Sequence, residues 1–416
     1  GNGGNIELQA FERLNSGSIS ASGAIGGNIR LISDSELVIE AQEIISFTEG
    51  PGIGGDIELE GDSVIITDES FVSTLNLTNA PGDNRGGNII VNALGGLVEV
   101  RNSQIGSDTL GTARSGDVTI SAGQVSIENT RSSGLTSQPR VGFSASTRPD
   151  SVGDSGNLTI NATESIAITG NDPSFFNPDP TNPDTRLTAV STLTGASTAT
   201  LGAGDAGVLT INTDRLTIRD SAGITSAATP DSTGAGGEVK VNAAQILLQG
   251  RAGFATTTFG PGEAGDLFVN ADRLVLEYCA IISADALGEP TLERVGPAGD
   301  ITVEARNILL NSRGRLSTTT RSGDGGDITL ENVSLLELRR GDNVGGIFTE
   351  AGTDQLGGDG GNIFIDADFI FAIPEENTDI VANAFTGNGG SIEITTRDIR
   401  GIDFRPERTP QSDITA

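Results

Sequence analysis

Apolar and polar residues alternate along this chain in short runs, and each run follows the same six-residue motif. The motif is a small residue, glycine, most often Asn or Asp, and then apolar, any, apolar. Glycine holds the second position and apolar residues hold both apolar positions in all thirteen copies. Because side chains alternate sides along a strand, each copy predicts a strand with one buried face. The copies begin at Gly3, Gly26, Gly54, Gly86, Ser115, Ser155, Ala206, Gly236, Ala264, Ala298, Gly325, Gly360 and Gly389.

Two further strand-like segments follow each copy of the motif. The second segment alternates, as in "VSI" at Val125, and the third is an apolar residue followed by Ser, Thr and Ala, as in "ITSA" at Ile224. One such coil cannot bury its apolar side chains alone, but stacked coils pair each strand in parallel with its copies. The pattern predicts an all-β fold: a single right-handed parallel β-helix (β-solenoid) of about thirteen three-strand coils, continuous over residues 1–416.

This interpretation makes specific geometric predictions. Ile6, Ile29, Ile57 and Ile89, which share one motif position, should lie in a single column inside three long parallel sheets. The motif glycine should serve either a positive φ angle or a close approach between backbones. Alanine often follows the first strand, as at Ala243, and suits a tight corner.

The residue after the motif glycine is Asn in five copies and Asp in five, so stacking should place these side chains in a ladder. Asn amides can hydrogen-bond to one another along such a ladder, whereas stacked Asp side chains repel unless they alternate with Asn, are solvated or bind cations. The predicted structural ladder consists of Asn5, Asn28, Asp56, Asn88, Asp117, Asn157, Asp266, Asp300, Asp327 and Asn362.

Three insertions interrupt the regular coil length, at about residues 132–154, 170–186 and 284–299. Insertions in solenoids map to surface loops, which often form the binding face. The longest insertion carries Phe175 and Phe176 among Pro, Asp and Asn residues. These two side chains either pack the loop against the rod or form a binding loop that contacts a glycan or a protein partner.

Composition narrows the classes of partner. The net charge is −31, from 56 acidic and 25 basic residues, which argues against nucleic acid and anionic membrane surfaces. No apolar stretch is long enough to span a membrane. Cys279 is the single cysteine, so no intrachain disulfide can form, and its strand-like surroundings predict a small buried thiol.

The residues that carry chemistry are sparse. The chain has no histidine, which excludes Ser-His-Asp and Cys-His sites and histidine general bases, and we expect no enzymatic activity and no cofactor. "GDGGDITL" resembles one unit of a calcium-binding repeat, so Asp324 and Asp327 are the metal candidates, but the unit does not recur in tandem and a turn with a ladder Asp is the preferred explanation. The alternatives to a structural protein are a polysaccharide-active β-helix enzyme, which needs only carboxylates, calcium and arginine, and a passive cation-binding surface coat.

The repeat "GGNIxI–xA–xxLxL–xIxAxT–GxG" resembles that of filamentous haemagglutinin-like exoproteins, in particular the cyanobacterial branch, and Gly387 to Ala416 is similar to the terminal coil of that repeat. The resemblance implies a secreted cell-surface protein, exported through an outer-membrane transporter of the two-partner type. It implies a role in adhesion, sheath or extracellular matrix, with a glycan or cell-surface ligand. We expect the chain to be a fragment of a longer protein, and unpaired coil edges at its ends predict end-to-end association into filaments.

Overall fold

Parallel strands make up almost all the regular structure of the chain. The computed structural model describes residues 1–416 except 81–83, 94, 132–139, 172–193, 231, 289–294, 343 and 353–356. It confirms an all-β parallel solenoid, of about 11 turns, close to the thirteen coils expected. All thirteen motif copies form stacked strands, and eleven of them have a copy paired on both sides.

The first four coils each contain three separate strands. Their bounds are β1 Ile6–Ala10, β2 Arg13–Ser16, β3 Ile19–Gly23, β4 Ile29–Ser33, β5 Glu36–Glu40, β6 Glu43–Thr48, β7 Ile57–Glu60, β8 Ser63–Thr67, β9 Phe71–Asn76, β10 Ile89–Asn92, β11 Leu97–Arg101 and β12 Gln104–Thr109.

From the fifth coil onward the first two segments run on as one long strand, and the third segment stays separate. These strands are β13 Val118–Glu128, β14 Val141–Thr147, β15 Leu158–Thr169, β16 Thr194–Thr200, β17 Leu209–Arg219, β18 Gly223–Ala228, β19 Val239–Gln249, β20 Gly253–Thr258, β21 Leu267–Glu277, β22 Ile281–Ala286, β23 Ile301–Asn311, β24 Arg315–Thr319, β25 Ile328–Arg339, β26 Gly346–Ala351, β27 Ile363–Ala372, β28 Asp379–Ala384, β29 Ile392–Arg400, β30 Asp403–Phe404 and β31 Asp413–Thr415. A 3-10 helix, Pro374–Glu376, lies between β27 and β28.

Hydrogen bonding groups these strands into two sheets, where three separate sheets were expected. One sheet of 17 strands contains the first and second segments, and one of 14 strands contains the third. The first two segments share a sheet because the chain stays extended through their corner, where the register shifts, as between Ala122 and Gln124. The long sheet therefore bends along a line parallel to the solenoid axis.

The predicted interior column is present. Ile6 pairs with Ile29, Ile29 with Ile57 and Ile57 with Ile89, and the last three side chains are fully or almost fully buried. The same column continues through the motif strands to Ile392, within one continuous apolar cluster. Stacking therefore buries the apolar faces of the motif strands between the two terminal ones, β1 and β29, whose apolar residues are only partly buried, and this burial is the main driving force for the fold.

The motif glycines are explained by close approach and not by positive φ. A Cβ atom on Gly207 would meet the carbonyl oxygen of Gly156 in the preceding coil well inside 3.0 Å, a separation that real Cβ atoms essentially never show. The equivalent glycines from Gly27 to Gly390 meet the preceding motif glycine in the same way, and none has a φ in the left-handed range. Each coil thus rests directly on the backbone of its neighbour.

The expectation that Cys279 is a buried strand residue is wrong. β21 ends at Glu277, and Tyr278 and Cys279 form a turn with φ angles of 55° and 64°. The turn stacks on the next coil, where the N–H of Cys279 donates to the carbonyl of Ser312 at 2.9 Å, and the side chain is half-buried. The chain must turn here toward β22, so the strand pattern stops two residues before the cysteine.

Candidate functional site

The predicted ladder exists, but its hydrogen bonds differ from those expected. The Oδ1 atom of Asn28 accepts from the main-chain N–H of Asp56 at 2.9 Å, and Oδ1 of Asp56 accepts from the N–H of Asn88 at 2.7 Å. Only an acceptor is required, so Asn and Asp serve equally, and amide-to-amide pairing is not needed. The same bond links Asn5, Asn28, Asp56, Asn88, Asp117 and Asn157 in one run, and Asp266, Asp300, Asp327 and Asn362 in a second.

Three consecutive aspartates make the second run sensitive to pH. Asp300 is exposed as a whole residue, but partial burial of its carboxylate raises its pKa; the N–H of Asp327 opposes this, and the carboxylates of Asp266 and Asp327 add to it. The folded state therefore binds a proton more tightly than the unfolded state. The free energy of unfolding should fall as pH rises from the ordinary aspartate range through the raised pKa.

We expect Asp300→Asn to stabilise the protein at neutral pH, because the amide keeps the Oδ1 acceptor and removes the charge. The gain should be about 0.5 kcal/mol, since solvent screens this exposed carboxylate. Chemical denaturation at several pH values measures it. Asn88→Asp, which creates three consecutive carboxylates in the first run, is the matched opposite and should destabilise. Loss of stability in Asp300→Asn would contradict the repulsion argument.

Asp324 and Asp327, the metal candidates, both have structural partners. Oδ1 of Asp324 accepts from the N–H of Asp359 at 3.0 Å. These two residues form a separate side-chain ladder, and each lies three residues before a member of the Asn/Asp ladder described above. Oδ1 of Asp327 accepts from the N–H of Asn362 at 2.7 Å. Among the residues that the structure describes, no three His, Cys, Asp or Glu side chains come together as metal ligands do. The turn explanation accounts for both aspartates.

The predicted insertions fall partly outside the described residues. Phe175 and Phe176 lie there, so the structure gives no account of this predicted binding loop. The range 132–154 contains β14, whose Phe143 pairs with Ile105 of β12 and faces the core. The first insertion is therefore shorter than expected, because its second half includes the third strand of the coil. The start of the range 284–299 likewise belongs to β22.

A concave feature among the described residues lies on the outer surface of the long sheet, at its bend. Four consecutive coils contribute three residues each to a cavity of about 610 Å³, which we call the bend groove. It runs along the solenoid axis, across the strands. Its lining residues are Asn161, Ala162, Thr163, Asn212, Thr213, Asp214, Asn242, Ala243, Ala244, Asn270, Ala271 and Asp272.

An amide ladder follows the bend groove. Nδ2 of Asn212 donates to Oδ1 of Asn161 at 2.8 Å, and Nδ2 of Asn242 donates to Oδ1 of Asn212 at 3.0 Å. Asn270 takes the equivalent position on the fourth coil, since it pairs with Asn242 in register. An amide has two N–H groups and two acceptor lone pairs, so Asn212 keeps one of each for another partner.

Polar contacts mark both ends of the groove. Nε2 of Gln124 donates to Glu164 at 2.6 Å on one side, and Arg306 pairs with Asp272 at 3.3 Å on the other. Asp214 lies between them, where Glu164 and Arg215 line an adjoining cavity. The interior of the groove thus presents neutral amides with an acidic side chain beside them.

Sequence reasoning missed the groove asparagines, although a signal was present. Each follows the second apolar position of a motif strand and precedes Ala or Thr, as in "INAT" at Ile160 and "VNAA" at Val241. The alanines point inward and are buried at the corner, for instance Ala243 at 5% exposure, which leaves the asparagine at the edge of the bend. An Asn in register on four successive coils is the pattern that identifies the ladder.

Comparisons with known proteins do not identify this chain: no family model, no curated protein and no solved structure matches it. In the part of the chain that the structure describes, none of the helices has the length and apolar character of a membrane span.

Proposed function

We propose that this chain belongs to a secreted, cell-surface structural or adhesive protein whose solenoid binds a glycan polymer in the bend groove. The observation that carries the proposal is the amide ladder from Asn161 to Asn242 lying in an open groove along the axis. Export by a two-partner transporter is part of the proposal on the resemblance of the repeat.

The shape and chemistry of the groove support binding in preference to catalysis. Binding sites are concave and place a few polar groups that fix ligand orientation, and here amides repeated from coil to coil lie beside Asp214 and Asp272. The groove is open and follows the rod, so an extended polymer can enter it from the side. A stiff rod with a lateral binding groove suits attachment to a surface or matrix.

Binding to a panel of immobilised neutral, acidic and amino-sugar polysaccharides tests this proposal. We expect the double variant Asn212→Ala/Asn242→Ala to bind about thirtyfold more weakly than the unmodified chain, because two amides with net contributions of about 1 kcal/mol each are lost. The matched control is Gln249→Ala, which removes a half-buried amide at the far end of the same strand as Asn242. Its binding should be unchanged.

Two results would contradict the proposal. One is that the folded protein binds no polysaccharide on the panel. The other is that the double variant, shown by circular dichroism to keep its fold, binds as tightly as the unmodified chain.

A further inference from the structure

We infer that the ligand of the bend groove is an uncharged, extended polysaccharide that lies parallel to the solenoid axis with one sugar residue per coil. This inference rests on the proposed function and specifies its ligand. The spacing of the groove, the hydrogen-bonding capacity of its amides, its charge and an aromatic side chain at its edge support it.

The repeat distance of the groove selects the type of polymer. Paired strands lie ~4.8 Å apart, so the four groove asparagines recur at that interval and span roughly 15 Å. This interval is close to the length of one pyranose residue in an extended chain. An extended peptide repeats every ~3.3 Å and would fall out of register with the coils after one or two residues. A polysaccharide can therefore place one sugar residue on every coil, with the two hydroxyl edges of a β-1,4-linked chain facing the amides in alternation.

The amides are suited to hydroxyl groups. Asn212 uses one N–H and one lone pair within the ladder and keeps one donor and one acceptor. A sugar hydroxyl is also both donor and acceptor, so each coil can exchange a pair of hydrogen bonds with one sugar. Because the ladder bonds hold the amides in position, little side-chain entropy is lost on binding.

Charge argues for a neutral ligand. The charged residues that line the groove are Asp214 and Asp272, and the whole chain carries a net charge of −31. Arg306 is paired with Asp272, and Lys240 beside the groove is paired with Glu238 at 2.8 Å. A uronic acid polymer would bring its carboxylates toward these two aspartates, and Arg215 in the adjoining cavity offsets only part of the repulsion, so both the affinity and the rate of association of the polymer are lowered.

An aromatic ring extends the site on the fourth coil. Phe268 lies two residues before Asn270, on the same outward face of β21, and is 38% exposed. Nζ of Lys240 on the preceding coil lies 5.9 Å from its ring centroid. The flat apolar face of a sugar can pack on such a ring while its hydroxyl edge meets the amide of Asn270.

Calorimetric titration with β-1,4-linked glucose oligomers of two to six residues, and with galacturonic acid oligomers of the same lengths, tests the inference. We expect the neutral series to bind at least tenfold more tightly and its affinity to stop rising at about four residues, one for each coil of the groove. Phe268→Ala should weaken neutral binding severalfold. The control Phe371→Ala removes a similarly exposed ring, 39%, from another strand outside the groove and should have no effect.

The variant Asp214→Asn tests the preference for a neutral glycan separately from glycan binding in the groove. It should reduce the preference for the neutral series over the galacturonic acid series, because it removes one negative charge from the groove lining. If the acidic series binds as tightly as the neutral series and Asn212→Ala/Asn242→Ala abolishes both, the neutral specificity is wrong while the groove function stands. If no glycan binds, both fail. An affinity that keeps rising beyond four residues overturns the one-sugar-per-coil register.

Discussion

Gly207→Ala should unfold the coil in which it lies, with a loss of at least about 3 kcal/mol in the free energy of unfolding. A methyl group at this position would overlap the carbonyl oxygen of Gly156, and neither atom can move away easily because each glycine lies two residues before one of the paired strands β15 and β17. The change adds no charge and removes no hydrogen bond, so steric overlap is its only cause. Guanidinium denaturation followed by circular dichroism measures the effect.

Gly4→Ala is the matched control for this result. Gly4 has the same motif position in the first coil, but no atom lies within 4 Å of the Cβ position there. The substitution should change stability by less than about 0.5 kcal/mol. If Gly207→Ala were as mild as Gly4→Ala, the contact between coils would not explain why every motif copy has glycine.

Arg408→Ala should detach the last coil at neutral pH, at a cost of about 3 kcal/mol. Asp379 at the start of β28 is completely buried, and Arg408 pairs with it through Nε at 2.9 Å and NH2 at 2.8 Å. Oδ1 of Asp379 also accepts from the N–H of Asp413 at 3.0 Å, so this carboxylate joins β28 to β31. Without the guanidinium, a buried charge would lose its counterion.

The pH dependence follows from the pKa of Asp379. Burial already raises this pKa, and the charge of Arg408 holds it down, so loss of the arginine raises it further. The loss of stability caused by Arg408→Ala should be complete above the raised pKa. It should become smaller as pH falls and the carboxyl is protonated in the folded state. Hydrogen exchange of residues 379–415 reports this locally, since coils of a solenoid contact only their neighbours.

Two controls separate burial of charge from loss of contact. Asp379→Asn/Arg408→Ala should recover most of the stability, because Asn keeps the acceptor for Asp413 and has no charge to bury. Arg400→Ala breaks an exposed pair with Asp398 nearby and should cost less than about 1 kcal/mol. If the double variant were as unstable as Arg408→Ala, the buried charge would not be the cause.

The periodic part of the fold could be predicted from the sequence, because the inward positions are fixed by alternation. Ile29 and Ile57 had to share a column once their motif copies were aligned. The reason for the motif glycine could not be predicted, since positive φ and close approach both select glycine. The bonding of Asn28 and Asp56 was likewise open, because a side-chain oxygen can accept from an amide or from the main chain. Cys279 was misplaced because a strand pattern does not show where the strand ends.

The bend groove could not be predicted from the sequence for another reason. Its asparagines are polar residues at outward positions, which any solvent-facing strand allows, and Asn242 alone has nothing unusual about it. The groove arises only when the corner alanines bend the sheet and bring four asparagines into register across coils that are 28 to 51 residues apart in sequence. The proposed binding site is thus formed by the stacked coils together and not by any one repeat.

The glycine contact also bears on how such a chain can evolve. Because each motif glycine from Gly27 onward contacts the motif glycine of the preceding coil, removing all residues from one motif to the next leaves the same surfaces facing each other. Whole coils can thus be gained or lost by recombination, although few single substitutions at the contact survive. Rod length, and with it the number of sugars a lateral groove can hold, would change in steps of one coil.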